Sequence, residues 1–284
     1  MMVGKKNTLA SVIKIIFIVV FTFIFILPIW LTITSSFEDN ISFAQHGYSL
    51  IVHNFTTIAY QKVFQDGLFW SSMFNSFWVT CAAVVLSLIL NTTTAYALYH
   101  KNMPFHKTLN TVFVLTMFFN AGMIPTYLVI KSLGMTDSFL ALILPVTVSV
   151  YNILLIRNYL YTLPASMEEA ALVDGANYAQ ILWSIIIPIS KPVIVTTAFM
   201  TLIFKWNSWM DVLIYISKTE EGHKFWTVQY YLRTLRESVS KSTDVGGEQI
   251  LSASIVITLL PVVLLFPSLQ KYFVTGISAG SVKG

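Results

Sequence analysis

The chain of 284 residues is too apolar to fold as a water-soluble globule. It carries 17 Lys and Arg against 13 Asp and Glu, a net charge of +4, and only 11% of its residues are charged while 56% are hydrophobic. Soluble domains average about 25% charged residues, so this composition indicates a membrane protein. Lys and Arg are scattered between apolar stretches, which argues against nucleic-acid binding, and the single Cys81 excludes a disulfide framework.

Six apolar runs are each long enough to cross a bilayer as a helix, which takes about 18 residues or more. Five of them are free of charged residues, whereas the fifth in chain order contains Lys205 and Asp211. The first run is too long for the apolar core of a signal peptide, so we expect it to be retained. The sequence therefore predicts an all-α protein with six transmembrane helices, at about residues 15–33, 76–98, 109–130, 138–156, 193–216 and 250–269.

The distribution of basic residues predicts that both termini are cytoplasmic. Nine Lys and Arg then fall in cytoplasmic segments and seven in outer loops, five of these seven in the last outer loop. We expect a cytoplasmic N-terminus, residues 1–14, followed by one six-span domain, residues 15–284. Two sizeable outer loops, 34–75 and 217–249, and one long cytoplasmic loop, 158–191, connect the spans.

The long cytoplasmic loop carries signals for two short helices. Ser166 with a glutamate three residues later matches a capping box and predicts a helix start there, and Gly175 stands where a helix end needs a left-handed residue. Asn177 with a glutamine three residues later predicts the start of a second helix, which we expect to end at Pro188. The loop is either a knob that enters a groove on a partner or an amphipathic pair lying on the membrane surface.

The same loop carries a recognisable motif. Glu169, Ala170 and Ala171 are followed after three residues by Gly175 and, nine residues further on, by an Ile-x-Ile-Pro sequence that ends at Pro188. This pattern resembles the EAA motif, E-A-A-x3-G-x9-I-x-L-P, of permease subunits of bacterial ABC importers. Isoleucine replaces the usual leucine before the proline, which is a conservative change.

Other segments resemble the carbohydrate branch of that family, the maltose-type sugar uptake permeases, and within it the LplC/YtcP-type permeases. The resemblance covers almost the whole chain. It rests on Tyr96-Ala97-Leu98 with Lys101, Pro104 and Phe105; on Met117-Phe118-Phe119 with Gly122, Ile124, Pro125, Thr126 and Tyr127; on Trp206-Asn207-Ser208-Trp209 with Asp211; and on Gln270-Lys271-Tyr272-Phe273 with the final Lys283-Gly284.

The resemblance implies a MetI-like permease fold in the bacterial cell membrane and half of the pore of an ATP-driven importer of carbohydrate, of oligosaccharide or polysaccharide fragments. It implies a second homologous permease, two ABC ATPase subunits and an extracytoplasmic solute-binding protein as partners. It also implies that the loop is the coupling element held in a cleft of the ATPase, with the glutamate matching Glu169 in polar contact there and the glycine matching Gly175 keeping the turn tight. The coupling residues expected are Glu168, Glu169, Ala170, Ala171, Asp174, Gly175 and Pro188.

We expect no catalysis on this chain. It contains no G-x-x-x-x-G-K-[ST] motif, so the resemblance assigns ATP and Mg to the partner ATPase and no cofactor to this subunit. The five histidines are dispersed without an H-E-x-x-H motif, so we expect no metal site. The six spans contain no His and only one acid, Asp211, which disfavours an intramembrane hydrolase. A permease for a non-carbohydrate solute and, with less support, a passive channel stay open as alternatives.

A charged residue inside a span is costly and usually faces a cavity or a partner. Because Lys205 and Asp211 are six residues apart, a continuous helix puts them on different faces, whereas Asn207 and Asp211, four apart, share one. Trp206 and Trp209 add flat aromatic surface, so this stretch lines a sugar pathway, belongs to the interfacial aromatic belt or joins helices. Further pathway candidates, for which interhelical hydrogen bonding is favoured, are Asn120, Tyr127 and Asn152.

Overall fold

The computed structural model describes residues 8–119, 121–217, 220–241 and 246–281, most of which are helical. Three helices are individually long and apolar enough to cross a membrane: Ser11–Ser36, Gly67–Tyr99 and Gly247–Ser268. Three further pairs of helices meet the same criteria only when each bent pair is counted as one span, which gives up to six spans. The prediction of an all-α fold is confirmed; within the described ranges the extended structure is one isolated bridge between Glu38 and Phe55.

Three long helices are separated along the chain by shorter ones. In chain order the α-helices are α1 (Thr8–Ser36), α2 (Asn40–His46), α3 (Ile58–Gln65), α4 (Gly67–Tyr99), α5 (His106–Phe118), α6 (Met123–Ser132), α7 (Phe139–Ile143), α8 (Val150–Leu160), α9 (Ser166–Val173), α10 (Tyr178–Ile181), α11 (Ile187–Ile189), α12 (Lys191–Trp206), α13 (Met210–Tyr215), α14 (Val228–Lys241) and α15 (Gly247–Ser281). A π-helical turn, Leu182–Ile186, joins α10 to α11, so that Tyr178–Ile189 is one helical run.

The chain divides into two compact units, of which the first contains residues 1–69 and 232–259. In this unit the most apolar part of α1 buries none of its side chains within the chain, as expected of a helix surrounded by lipid or by a partner helix. The end of α1 is polar and buried instead. The hydroxyls of Ser35 and Ser252 lie 3.2 Å apart and join α1 to α15.

The second unit contains residues 70–231 and 260–284. Its main hydrophobic core joins the end of α4 to α8, to α9 and to the run Tyr178–Ile189. The fully buried members at its centre include Leu98, Ile156, Leu160 and Ile181. This core fixes the base of the hairpin formed by α9 and the following run on the end of α4.

The predicted third span, 109–130, is not a single helix. It is divided between α5 and α6, whose axes differ by 116°. Gly122 immediately before α6 has φ +88°, which ends any regular helix. Pro125 has no backbone N–H to donate, and it lies in the first turn of α6, where that hydrogen is not needed.

The predicted fourth and fifth spans are interrupted as well. In 138–156 the axis bends by 42° between Phe139–Val146 and α8, where Pro145 lies in a short 3₁₀ turn. In 193–216 the helix stops at Trp206 and resumes at Met210. Short polar side chains occupy this second break, and such side chains compete with helical backbone hydrogen bonds.

Candidate functional site

The first arm of the hairpin, α9, begins one residue earlier than the sequence predicts. Ala165 is the N-cap, and no side-chain hydrogen bond caps the helix. The carbonyl of Pro164 already accepts the backbone N–H of Met167 at 3.2 Å. The capping box predicted at Ser166 is therefore wrong, because Ser166 lies inside the first turn and cannot adopt the extended backbone of a cap.

The turn between the two arms is a Schellman motif centred on Gly175. The N–H of Gly175 donates to the carbonyl of Leu172 at 3.1 Å, and the N–H of Ala176 donates to the carbonyl of Ala171 at 3.0 Å. Gly175 has φ +84°, so its predicted left-handed conformation is confirmed. A Cβ atom at this position meets no heavy atom within 4 Å, so the cost of replacing the glycine is backbone strain and not a clash.

The second arm begins with the predicted cap. The Asn177 carboxamide accepts the backbone N–H of Gln180, and the Gln180 side chain accepts the backbone N–H of Asn177, both at 2.9 Å. This reciprocal pair is a complete capping box. The start of the second helix is therefore confirmed.

The second arm includes Pro188 and ends one residue after it, so the predicted end is confirmed to within one residue. The π turn Leu182–Ile186 comes directly before the proline, and backbone hydrogen bonds in a π turn span five residues. The wider turn accommodates a proline that clashes with the preceding carbonyl in a regular α-helix. The run ends at Ile189, and the axis turns by 83° at Ser190 into α12.

Two adjacent glutamates of the first arm face in different directions. Glu169 is exposed, whereas Glu168 is only 8% exposed. A Glu168 carboxylate oxygen accepts a hydrogen bond from the Tyr96 hydroxyl at 3.0 Å and lies 3.3 Å from His100 Nε2. Glu168 thus holds the first arm against the end of α4, while Glu169 is available to a partner.

The tip of the hairpin projects apolar side chains. Val173 is 87% exposed, more than half of Tyr178 and of Trp183 is exposed, and Leu172 is 40% exposed. Clustered exposed apolar side chains mark interaction surfaces. Ala171 instead packs in the core below the tip. The remaining predicted coupling residues are all exposed: Glu169, Ala170, Asp174, Gly175 and Pro188.

Lys205 and Asp211 form a salt bridge at the break between α12 and α13. Lys205 Nζ lies 2.6 Å from Asp211 Oδ2, and Ser208 Oγ donates to the same oxygen at 2.7 Å. The Lys205 side chain is 2% exposed and that of Asp211 is 23% exposed. The expectation that these two residues do not pair is wrong, because it assumed a continuous helix, whereas the helix stops at Trp206 and resumes at Met210.

The neighbouring pathway candidates are mostly engaged in structure. Trp206 is 5% exposed, so its ring offers no flat face to a sugar or to lipid. The Asn207 side chain donates to the carbonyl of Ile203 at 2.8 Å, at the end of α12. The prediction that Asn207 and Asp211 share a helix face is wrong, because Asp211 belongs to the next helix, α13. Trp209 is half-buried at the break.

A buried polar network joins α4, α8 and α12. Asn152 Nδ2 donates to Thr201 Oγ1 at 3.2 Å, and that hydroxyl lies 3.3 Å from Ser87 Oγ. The Asn91 amide donates to Ser87 Oγ at 2.7 Å, and its oxygen accepts the backbone N–H of Ser149 at 3.0 Å. Asn152 therefore makes the interhelical hydrogen bond that was favoured for it.

A pocket of about 380 Å³ opens beside this network. Among the predicted pathway residues that the structure describes, only Asn152 belongs to its lining. The aromatic side chains in the lining are well exposed, Tyr151 by 51% and Phe204 by 65%. Ser149 caps α8 by accepting the N–H of Asn152. A serine at this position is the local sequence signal for the helix break before α8. The lining includes Ser149, Tyr151, Asn152, Met200, Thr201 and Phe204.

The last two candidates lie elsewhere. Tyr127 stacks on Tyr215, with ring centroids 6.5 Å apart and planes 5° apart, and Lys131 Nζ lies 6.0 Å from its centroid. Tyr127 therefore contributes to packing between α6 and α13. Asn120 falls outside the described residues.

Residues 2–279 match the sequence model of a family described as the binding-protein-dependent transport system inner membrane component. This chain belongs to that family. The resemblance drawn from the EAA motif is confirmed, and the subunit is an inner-membrane permease that crosses the bilayer several times. Its family consists of transport permeases and not of enzymes, and ATP hydrolysis belongs to a partner ATPase.

Individual relatives agree with this assignment. The polygalacturonan/rhamnogalacturonan transport system permease protein YtcP of Bacillus subtilis strain 168 is 32% identical over 98% of this chain and 100% of its own length. Protein LplC of the same strain is 36% identical over 91% of this chain and 90% of its own. A crystal structure of a bacterial ABC transporter involved in the import of the acidic polysaccharide alginate matches with a TM-score of 0.85 at 28% identity, covering 96% of this chain and 99% of that one. The MetI-like permease fold is thereby confirmed.

Removing one partner of the Lys205–Asp211 pair should destabilise the permease. Asp211→Leu leaves a buried ammonium without its counter-charge, a change that costs up to about 3–5 kcal/mol. We expect a lower midpoint of thermal unfolding in lipid nanodiscs. The double variant Lys205→Met/Asp211→Leu, which leaves no unpaired charge, should recover most of the loss. Equal midpoints for wild type and Asp211→Leu would show that the pair does not hold the helix break.

The Schellman turn predicts a contrast between two substitutions of Gly175. Valine resists positive φ and should cost about 1–3 kcal/mol of local strain, which displaces the tip, whereas asparagine tolerates the left-handed conformation. In the assembled importer we expect Gly175→Val to lower uptake strongly and Gly175→Asn to retain most of it. If both variants transport equally well, transport does not depend on the left-handed conformation of residue 175.

Proposed function

We propose that this permease forms one half of the pore of an importer of carbohydrate, of oligosaccharide or polysaccharide fragments, and that its hairpin is the contact for the partner ATPase. The observation that carries the proposal is the hairpin. Its base is fixed by a hydrophobic core and by buried Glu168, and its tip projects beyond them with Val173 almost fully exposed. A rigid base with an exposed apolar tip suits transmission of movement between two proteins.

The coupling residues divide into two groups under this proposal. Glu169, Ala170 and Asp174, on the exposed side, contact the ATPase. Glu168 and Ala171 hold the first arm in place from within, while the exposed Gly175 and Pro188 shape the turn and the second arm. The other partners proposed are a second homologous permease, a second ATPase subunit and a solute-binding protein outside the membrane, with ATP and Mg bound by the ATPase subunits.

The substrate proposal rests on relatives and on the pocket beside the polar network. Two of the matched proteins are named for the transport of polygalacturonan and rhamnogalacturonan and of alginate. The pocket combines the faces of Tyr151 and Phe204 with the amide of Asn152 and the hydroxyl of Thr201, and sugars present apolar faces and hydroxyl edges. We assign Lys205 and Asp211, by contrast, to holding the helix break.

We propose an orientation with both termini in the cytoplasm, supported by the basic residues of the early loops. The hairpin is then cytoplasmic, and the loops 34–75 and 217–249 face outward and dock the binding protein. Loop 34–75 is suited to docking, because it exposes apolar side chains although it lies between spans. These side chains are Ile41, Ile51, Phe55, Ile58 and Phe64.

The adjacent glutamates provide a matched test of coupling and substrate. The permease is reconstituted with its partner permease, ATPase and binding protein, and ATP hydrolysis is measured with a panel of neutral and acidic oligosaccharides. We expect one class to stimulate hydrolysis. Glu169→Ala, which removes the exposed carboxylate, should abolish the stimulation, whereas Glu168→Gln, which still accepts the Tyr96 hydrogen bond, should retain most of it.

Each outcome of that experiment decides a part of the proposal. Stimulation by a sugar that persists in Glu169→Ala would show that this side chain does not couple the ATPase. An assembled complex that responds to no oligosaccharide would exclude carbohydrate as the substrate. A chain that assembles with no ATPase would exclude coupling through the hairpin.

Orientation and docking are tested together at Ile51, which is 70% exposed. In a Cys81→Ser background, Ile51→Cys should react with a membrane-impermeant maleimide added to intact cells whose outer face is accessible. The bulky adduct should also weaken stimulation of the ATPase by the binding protein, because it covers the proposed docking surface. Reaction only after lysis would reverse the orientation, and unchanged stimulation by a fully modified complex would exclude docking at this surface.

A further inference from the structure

Three metal-ligating side chains converge just beyond the end of α1, although the sequence shows no metal motif. They are Glu38, His46 and His53, and a ligand atom from each lies within 4.8 Å of the others. Glu38 follows α1, His46 is the last residue of α2, and His53 lies in the extended segment that returns from it. All three belong to the same compact unit.

The backbone brings His53 beside Glu38. Residues 38 and 55 form an antiparallel bridge. On its two sides the N–H of Asp39 donates to the carbonyl of Asn54 at 3.1 Å, and the N–H of Thr56 donates to the carbonyl of Phe37 at 2.8 Å. The spacing of the cluster is thus set by main-chain hydrogen bonds.

Asp39 fixes the position of α2, the helix that carries His46. One of its carboxylate oxygens accepts the N–H of Ser42 at 2.7 Å and caps α2, and the other accepts the Asn54 amide at 2.7 Å. Gly47, with φ +63°, then turns the chain back directly after His46. The three ligand-bearing segments are therefore held in place before any ion arrives.

The side chains present suitable lone pairs. His46 Nδ1 lies 3.0 Å from the carbonyl of Ser42; a carbonyl only accepts, so Nδ1 carries the hydrogen and Nε2 is a ligand atom. His53 Nδ1 lies 3.0 Å from Glu38 Oε1. Glu38 is 1% exposed, and its Oε2 has no hydrogen-bond partner among the described residues. A buried carboxylate oxygen without a partner is costly, and a cation removes that cost.

We propose that Glu38, His46 and His53 bind one first-row transition-metal dication of the Zn²⁺ type. Two imidazole nitrogens and one carboxylate form a known zinc donor set, with water as the fourth ligand, and imidazole selects such ions. Ca²⁺ and Mg²⁺ are disfavoured because they take oxygen ligands.

Binding requires one small rearrangement. The two imidazole rings are parallel, with centroids 4.0 Å apart and planes 10° apart. An ion must lie in the plane of each ligating ring, with nitrogens about 3.4 Å apart in a tetrahedral site, so one ring turns about its Cβ–Cγ bond. The side chain of His53 is 37% exposed and has room to do so. The ion then fastens the end of α2 to the end of α1 and to the returning segment.

The test uses the full chain in lipid nanodiscs, purified without a polyhistidine tag, treated with chelator and titrated with Zn²⁺ alone. We expect one ion per chain, and affinity at least about tenfold weaker in His46→Ala and in His53→Ala. His223→Ala serves as the matched control, because His223 is not one of the three clustered residues and its ring contacts Trp226, and it should bind as the wild type does. Excess Ca²⁺ should not compete.

Two results overturn the site. One is wild-type affinity that persists in His46→Ala; the other is no stoichiometric Zn²⁺ binding by the wild type. His46 and His53 are both exposed, so their substitution should not disturb folding, which thermal unfolding of each variant without metal verifies. Glu38→Gln changes a buried side chain, so its unfolding midpoint without metal is compared with that of the wild type. With an equal midpoint, this variant should also bind Zn²⁺ more weakly.

Discussion

The structure depends on one constraint, that every backbone N–H and carbonyl within a bilayer must find its partner inside the protein. An unbroken helix meets this requirement by itself, but the fourth and fifth predicted spans are interrupted. At the first break the Asn91 amide oxygen takes the N–H of Ser149, and Ser149 in turn takes the N–H of Asn152. At the second break the polar groups of Lys205 and Asp211 satisfy each other. Polar side chains within these spans thus largely serve to stabilise the breaks in the helices.

This constraint explains where sequence reasoning succeeds. Apolar runs, the left-handed Gly175 and the reciprocal pair of Asn177 and Gln180 are set by local chemistry, so the sequence is sufficient to predict them. It fails where a helix is assumed to be continuous. The pairing of Lys205 with Asp211 needs the break after α12, and this break has no reliable local signal.

The direction of individual side chains is a second limit on sequence reasoning. Glu168 and Glu169 are adjacent acids in the same motif, and nothing in the motif separates their roles. Successive residues differ by about 100° around a helix, so one can face the core while the other faces outward. Only the packing of α9 against Tyr96 and His100 shows which is which. The motif therefore predicts a surface, and the fold divides its residues into exposed and buried ones.

The same packing suggests how movement at the tip reaches the spans. The second arm of the hairpin turns by 83° at the fully buried Ser190 and continues at once into α12. No flexible loop lies between them to absorb a displacement. Helix α12 carries Thr201, which is bonded to Asn152 on α8 and lines the pocket beside it. A push on the hairpin therefore acts on the helix that borders this pocket, and the hydrogen bonds between α12 and α8 determine how far the two helices can separate.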